Sequence, residues 1–257
     1  MDEKEKREHE RARRRALAAA EGVQPAPEDL DGAPEAKGPA ASINFLISRL
    51  TAQRREWRDR AAAELMARGV EAVPALIGAL THASPFVRFH ATELLGLIGD
   101  ERAIEPLVER LGDLEENRGG VAAGAEAALA RFGPRATAAL LAAAQEAPET
   151  VRTRAVRLLG RIRAGVPPEP IRALLREGSE NVRVQAATAL WRLCEGEAAD
   201  DLVRALADGS RVVRAAAAEA LARLGRREAR PVLEAILDDP EDLYESRWAA
   251  ELLELLE

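Results

Sequence analysis

Aromatic residues make up only 3% of this 257-residue chain, which carries a single cysteine, Cys194, and three histidines. One cysteine excludes an internal disulfide and suits a reducing compartment. Three histidines, one of them (His9) in the charged N-terminal stretch, and that cysteine do not furnish a four-ligand zinc site of His and Cys. No apolar run approaches the roughly 18 residues that would cross a bilayer. The basic cluster Arg11–Arg15 is followed only by the short apolar run Ala16–Ala20, too brief for a signal-peptide core. A cytoplasmic location is therefore the expectation. The formal charge of −7 and pI near 5.3 disfavour general binding to a phosphate backbone. Phosphate-cradling glycine loops, a nucleophile elbow and an HExxH motif are all missing.

What the chain has in quantity is alanine, leucine and arginine. Apolar residues reach 47%, enough for a core, and with so few aromatics that core must rest on small residues and close helix contacts. Lysine stops at Lys37, so every later cation is arginine. The apolar residues are also periodic. An apolar residue followed by arginine opens an alanine-rich stretch at Trp57-Arg58, Val87-Arg88, Val151-Arg152, Val182-Arg183 and Val213-Arg214. The first two are 30 residues apart and the last three are 31 and 31 apart. The interval of 64 between Val87 and Val151 holds one more unit, opened by Val121-Ala122. Such a period marks a stacked array of helical hairpins.

Within a unit, Val87, Ala91, Leu94, Leu95 and Ile98 lie on one face of a first helix, which Gly99-Asp100 stops. Ile104, Leu107, Val108 and Leu111 do the same on a shorter second helix. Leu65, Leu129, Leu159, Leu190 and Leu221 align with Leu95; Leu76, Leu140, Ile171, Leu202 and Val232 align with Leu107. Pro106, Pro170 and Pro231 align in the first turn of the second helix, where a missing N–H costs little. The predicted fold is an all-α right-handed α-solenoid of about six hairpins over 42–257. Ser42 caps a first helix carrying Ile43, Leu46, Ile47 and Leu50 that covers one end, and a half-repeat from Tyr244 to Leu256 closes the other. Residues 1–41, charged and then rich in Pro and Gly, read as a disordered tail and linker.

The stretch VRFHATELLGLIGDERAIEPLVERL (87–111), with VRVQAATALWRL (182–193) and VRAAAAEALARLG (213–225), resembles the short HEAT-like repeat named after phycobilin lyases. The resemblance implies a structural role for Arg58, Arg88, Arg152, Arg183 and Arg214, bracing consecutive repeats. Acids in the preceding loops suit them as partners: Glu146 or Glu149 for Arg152, Glu177 or Glu180 for Arg183, and Asp208 for Arg214. The family also includes hydroxylases that hold two irons with paired His-Glu motifs, but only His9-Glu10 has that doublet here; no Glu follows His82 or His90. No enzyme activity, catalytic residue, metal or cofactor is expected.

In arrays of this type the second helices line the concave side. One outward row then runs Pro74, Glu105, Ala138, Glu169, Asp200, Arg230 and the other Gly78, Glu109, Ala142, Ala173, Arg204, Glu234. This groove, acidic early, flat with alanine in the middle and mixed at the end, reads as a binding face for another protein. Trp191, where siblings have Gly or Ala, either fills a void or anchors a partner, and Trp248 on the last half-repeat is the second candidate anchor. The alternative function is association with nucleic acid through Arg152, Arg154, Arg157, Arg161 and Arg163; a bilin lyase-type subunit ranks below it. The third unit breaks the pattern with the loop 112–120, Ala122 for the bracing arginine and Gly124 inside the helix, which suggests a bend there.

Overall fold

A computed structural model describes residues 42–52, 54–113, 120–193, 198–238 and 243–257. The tail 1–41, residues 114–119 of the irregular loop, and Cys194 lie outside the described residues. The described chain is helical throughout. A capping helix α1 (Ile43–Arg49) is followed by hairpins of one long and one short helix. These are α2 (Arg55–Arg68) with α3 (Val73–Ala79), and α4 (Pro85–Ile98) with α5 (Ile104–Glu109). The next are α6 (Val121–Phe132) with α7 (Thr137–Glu146), and α8 (Glu149–Ile162) with α9 (Pro168–Glu177). The last are α10 (Glu180–Leu193) with α11 (Ala199–Ala205), and α12 (Arg211–Arg223) with α13 (Arg230–Leu237). Helix α14 (Leu243–Glu254) closes the array. Each long helix packs on the long helix of the next unit and on the short helix that precedes it in the chain, so the architecture is an α-solenoid.

Local signals set the helix ends. Ser42 accepts a hydrogen bond from the Phe45 N–H at the start of α1, and Ser210 from the Val213 N–H at the start of α12. Gly99 ends α4 with φ of 73°, a left-handed turn that a side chain would strain. One ladder of fully buried leucines, Leu65, Leu95, Leu129, Leu159, Leu190 and Leu221, runs through the long helices. A second, Leu76, Leu107, Leu140, Ile171 and Leu202, runs through the short ones. Burying each such side chain stabilises by about 2 kcal/mol, and no single hairpin could bury its own row.

The last hairpin departs from the sequence alignment by one residue. Leu233 is fully buried where Val232 was expected, because buried Ala229 stands four residues before it as Ala103 stands before Leu107. Pro231 misleads because prolines are tolerated at more than one place in a helix's first turn. Pro231 and Ala235, both exposed, therefore replace Arg230 and Glu234 in the two outward rows.

The bracing arginines use main-chain carbonyls first. Arg58 donates to the Ala52 carbonyl (2.7 Å), Arg88 to those of His82 (2.7 Å) and Ala83 (3.2 Å), and Arg152 to that of Ala144 (3.1 Å). Arg183 donates to the Gly178 carbonyl (3.0 Å), and Arg214 to those of Asp208 (2.9 Å) and Gly209 (3.2 Å). Each guanidinium thus sits at the C-terminal end of the preceding unit's short helix, or of α1, where carbonyls lack helical partners and the helix dipole favours a cation. Two reach forward as well. Arg183 makes a bidentate pair with Asp208 (2.9 and 2.8 Å) and Arg88 lies 3.6 Å from Asp113, each acid 25 residues further on. The acid therefore comes from the following loop, and Asp208 gives its carboxylate to Arg183 and only its carbonyl to Arg214.

Small residues let the long helices approach. A Cβ on Gly96 would lie 2.6 Å from the Ala128 Cβ, and one on Gly160 would lie 2.8 Å from the Ala189 Cα. Gly124 has the same use: a Cβ there would fall 2.3 Å from the Thr92 hydroxyl oxygen, and α6 runs unbroken through it. This glycine marks a tight seam between α4 and α6. Gly96→Ala is expected to destabilise the chain by about 1–3 kcal/mol through forced separation of α4 and α6. Gly78→Ala, with nothing within 4 Å of the new methyl, is expected to raise stability by up to about 1 kcal/mol. Urea denaturation followed by circular dichroism checks both; equal effects would refute the close-approach role.

Candidate protein-binding face

The short helices present their outward rows as an almost continuous exposed strip. Pro74 and Gly78 on α3, Glu105 and Glu109 on α5, Ala138 and Ala142 on α7, Glu169 on α9, and Asp200 and Arg204 on α11 are exposed, and Ala173 is half-buried. The alternation follows from burial of Leu76, Leu107, Leu140, Ile171 and Leu202, which turns residues two before and two after each leucine outward. Glu109 lies 3.5 Å from its neighbour Arg110. Arg230, expected in this strip, is half-buried and turns to the C-terminal end, 3.5 Å from the Leu256 carbonyl and 3.7 Å from Glu234.

A cluster that the rows do not reveal lies between α9 and α11. Asp201 is buried, 2% exposed, where the other short helices have Ala75, Pro106, Ala139, Pro170 and Val232. A charge in an apolar slot requires partners, and three arginines supply them. Arg172 from α9 hydrogen-bonds one carboxylate oxygen; Arg204 from α11 hydrogen-bonds the other, and Arg176 stands 3.8 Å from that same oxygen. Glu169 binds the far side of Arg172 at 2.8 Å. Burial pushes the Asp201 carboxyl upward, but the hydrogen bonds from Arg204 and Arg172 outweigh it and hold it below its ordinary value. The sequence signal was an acid at a position that is apolar or proline in every sibling.

On the long-helix face the arginine stripe is largely engaged. Arg157 hydrogen-bonds Glu126 of α6, with Arg154 and Arg161 at 3.7 and 4.0 Å from the same carboxylate. Arg154 also donates to the Leu111 carbonyl, and Arg152 serves the Ala144 carbonyl. The stripe spans the seam between α6 and α8. Arg163 is exposed, with φ of 62°. Trp191 is half-buried against the core, with Arg192 and Arg223 each 5.3 Å from its ring, so it bridges α10 to α12. Trp248, the second candidate anchor, is half-buried and packs on the core. His82 accepts the Ser84 N–H at 3.0 Å, and His90 stands 3.3 Å from Glu93. Among the described residues no three His, Cys, Asp or Glu gather as metal ligands, and no helix is long and apolar enough to cross a membrane.

The HEAT-repeat pattern matches residues 43–129 and 167–254, well over half of the sequence. The chain belongs to the HEAT-repeat family. A chain in the structure of Kap95p bound to RanGDP is similar to this HEAT-repeat protein over 83% of its length and 35% of that chain, with 13% identity and a TM-score of 0.55. An archaeal HEAT-like repeats protein from Thermococcus onnurineus is 11% identical over 85% of this chain and 98% of that one, with a TM-score of 0.48. A chain of the CpcE–CpcF complex of phycocyanin lyase from Nostoc is 21% identical over 88% and 99%, with a TM-score of 0.36. Likeness at these identities is one of fold. No curated protein matches the sequence.

Asp201→Asn is expected to lower stability by about 1–3 kcal/mol at neutral pH, a modest figure because Arg204 and Arg176 are more than half exposed. The folded carboxyl has its pKa below the ordinary 3.8, so its contribution is full above that value and fades as pH falls through the lower folded pKa. Urea midpoints measured from pH 7 downward should converge for the two proteins only below about pH 4; a gap constant with pH would refute this assignment.

Proposed function

We propose that this HEAT-repeat protein is a non-catalytic, cytoplasmic scaffold that binds another protein along its short-helix face, the concave side in arrays of this kind. The observation that carries the reading is the exposed strip on five successive short helices. Its character changes from acidic at Glu105 and Glu109, through flat Ala138 and Ala142, to mixed at Glu169, Asp200 and Arg204. Small side chains at the centre admit a partner helix or strand closely, and the flanking charges would fix its register. Trp191 and Trp248 are less suited to anchoring a partner, being packed on the core. The nucleic-acid alternative is weakened because Arg152, Arg154, Arg157 and Arg161 serve carbonyls and Glu126, and the chain carries −7 overall.

The immobilised full-length chain should capture a partner that Glu105→Lys/Glu109→Lys loses and that Ala123→Lys/Ala127→Lys, exposed on long helix α6, retains. Identical capture by both variants would overturn the assignment of the face. In a salt titration, duplex DNA should show no binding even at low ionic strength, where any phosphate-driven affinity is greatest; tight, steeply salt-dependent binding would favour the alternative.

A further inference from the structure

We propose that Arg176 and Arg204 form a clamp for a carboxylate carried by an acidic segment of a partner protein, an inference that rests on the short-helix face being the binding face. Three guanidiniums converge on the single charge of Asp201. Arg172 is held by one Asp201 oxygen and by Glu169. Arg176 and Arg204 both address the other oxygen, from helices of adjacent repeats, and their side chains are 56% and 61% exposed. A guanidinium has five donors, and one shared oxygen can occupy few of the ten that this pair presents. Two like charges are thus held close together with their remaining donors facing solvent. A second carboxylate placed between them would relieve that repulsion and accept hydrogen bonds from both.

The cluster is more than a brace between repeats. Glu126 also gathers three arginines, but all three come from the single helix α8, whereas Arg176 and Arg204 come from two short helices and border the outward strip. Buried Asp201 instead acts as an anchor that orders Arg204 and Arg172 before a ligand arrives, reducing the conformational cost of binding. Arg204 itself belongs to the exposed strip, so the clamp opens onto the proposed groove. Glu105 and Glu109 at α5 would repel an acidic segment, whereas at α9 and α11 the exposed acids Glu169 and Asp200 stand beside the arginines, so acceptance there depends on direct contact with Arg176 and Arg204 and not on the net charge of the region.

The test uses the full-length chain and a fluorescein-labelled peptide of alternating glutamate and serine, read by fluorescence anisotropy at about 0.15 M ionic strength, where the Debye length is about 8 Å. The glutamate peptide should bind, its glutamine version should not, and Arg176→Gln/Arg204→Gln should weaken binding about tenfold or more. Arg157→Gln/Arg161→Gln removes the same charge from the opposite face and should change affinity by less than about twofold, since distant exposed charges are largely screened. Circular dichroism confirms that both variants remain folded. Absence of glutamate-peptide binding overturns the clamp, as do equal losses in the two double variants. Binding confined to a phosphoserine peptide or to duplex DNA also overturns it, by assigning the arginines to phosphate. Partner capture that depends on Glu105 and Glu109 without glutamate-peptide binding would sink the clamp and spare the scaffold. Peptide binding through the clamp with capture indifferent to Glu105 and Glu109 would do the reverse.

Discussion

Each hairpin here is too short and too one-sided to bury its own apolar row, and it is completed only by the hairpin before and after it. The two leucine ladders, from Leu65 to Leu221 and from Leu76 to Leu202, are shared between neighbours along the array. Stability is consequently a sum of local seams, and the seams set what the rest of the molecule must look like. Where long helices touch closely, at Gly96 with Ala128 and at Gly160 with Ala189, not even a methyl group fits. The low aromatic content follows from the same constraint. Large rings have few places in an interface built from alanine and glycine, and Trp191 occupies a seam only by lying beside Arg223 at its rim.

Arginine does the polar work that such seams leave over. Short helices expose unpaired carbonyls at frequent intervals, and an array of them repeats that cost in every unit. The arginine after each Val or Trp reaches back to those carbonyls, placing a fixed positive charge at the negative end of the preceding short helix. Its planar fork can serve a carbonyl and a carboxylate together, as Arg183 does with Gly178 and Asp208. A lysine could not span both in fixed geometry.

The two arginine clusters illustrate how similar sequence content leads to different consequences. Around Glu126 the guanidiniums join two long helices, and Arg154 is further committed to the Leu111 carbonyl. Around Asp201 they stand on the face that the short helices present outward, with more donors than acceptors. Chain order does not separate the cases: a run of arginines within one helix and a set drawn from two helices look alike until the helices are placed.

The sequence alone determined the solenoid, its repeat length, the capping helix and the buried ladders, because a periodic apolar pattern can be satisfied only by stacking like on like. It also named most of the outward strip, since the position opposite a buried leucine is fixed by helix geometry. Tertiary structure decided what depends on neighbours distant in the chain. It showed that the braces take carbonyls before acids, that Gly124 tightens a seam, and that Asp201 gathers arginines from two repeats. It moved the last hairpin's rows by one residue, because proline is tolerated throughout a first turn and fixes no register, whereas burial of Ala229 and Leu233 does.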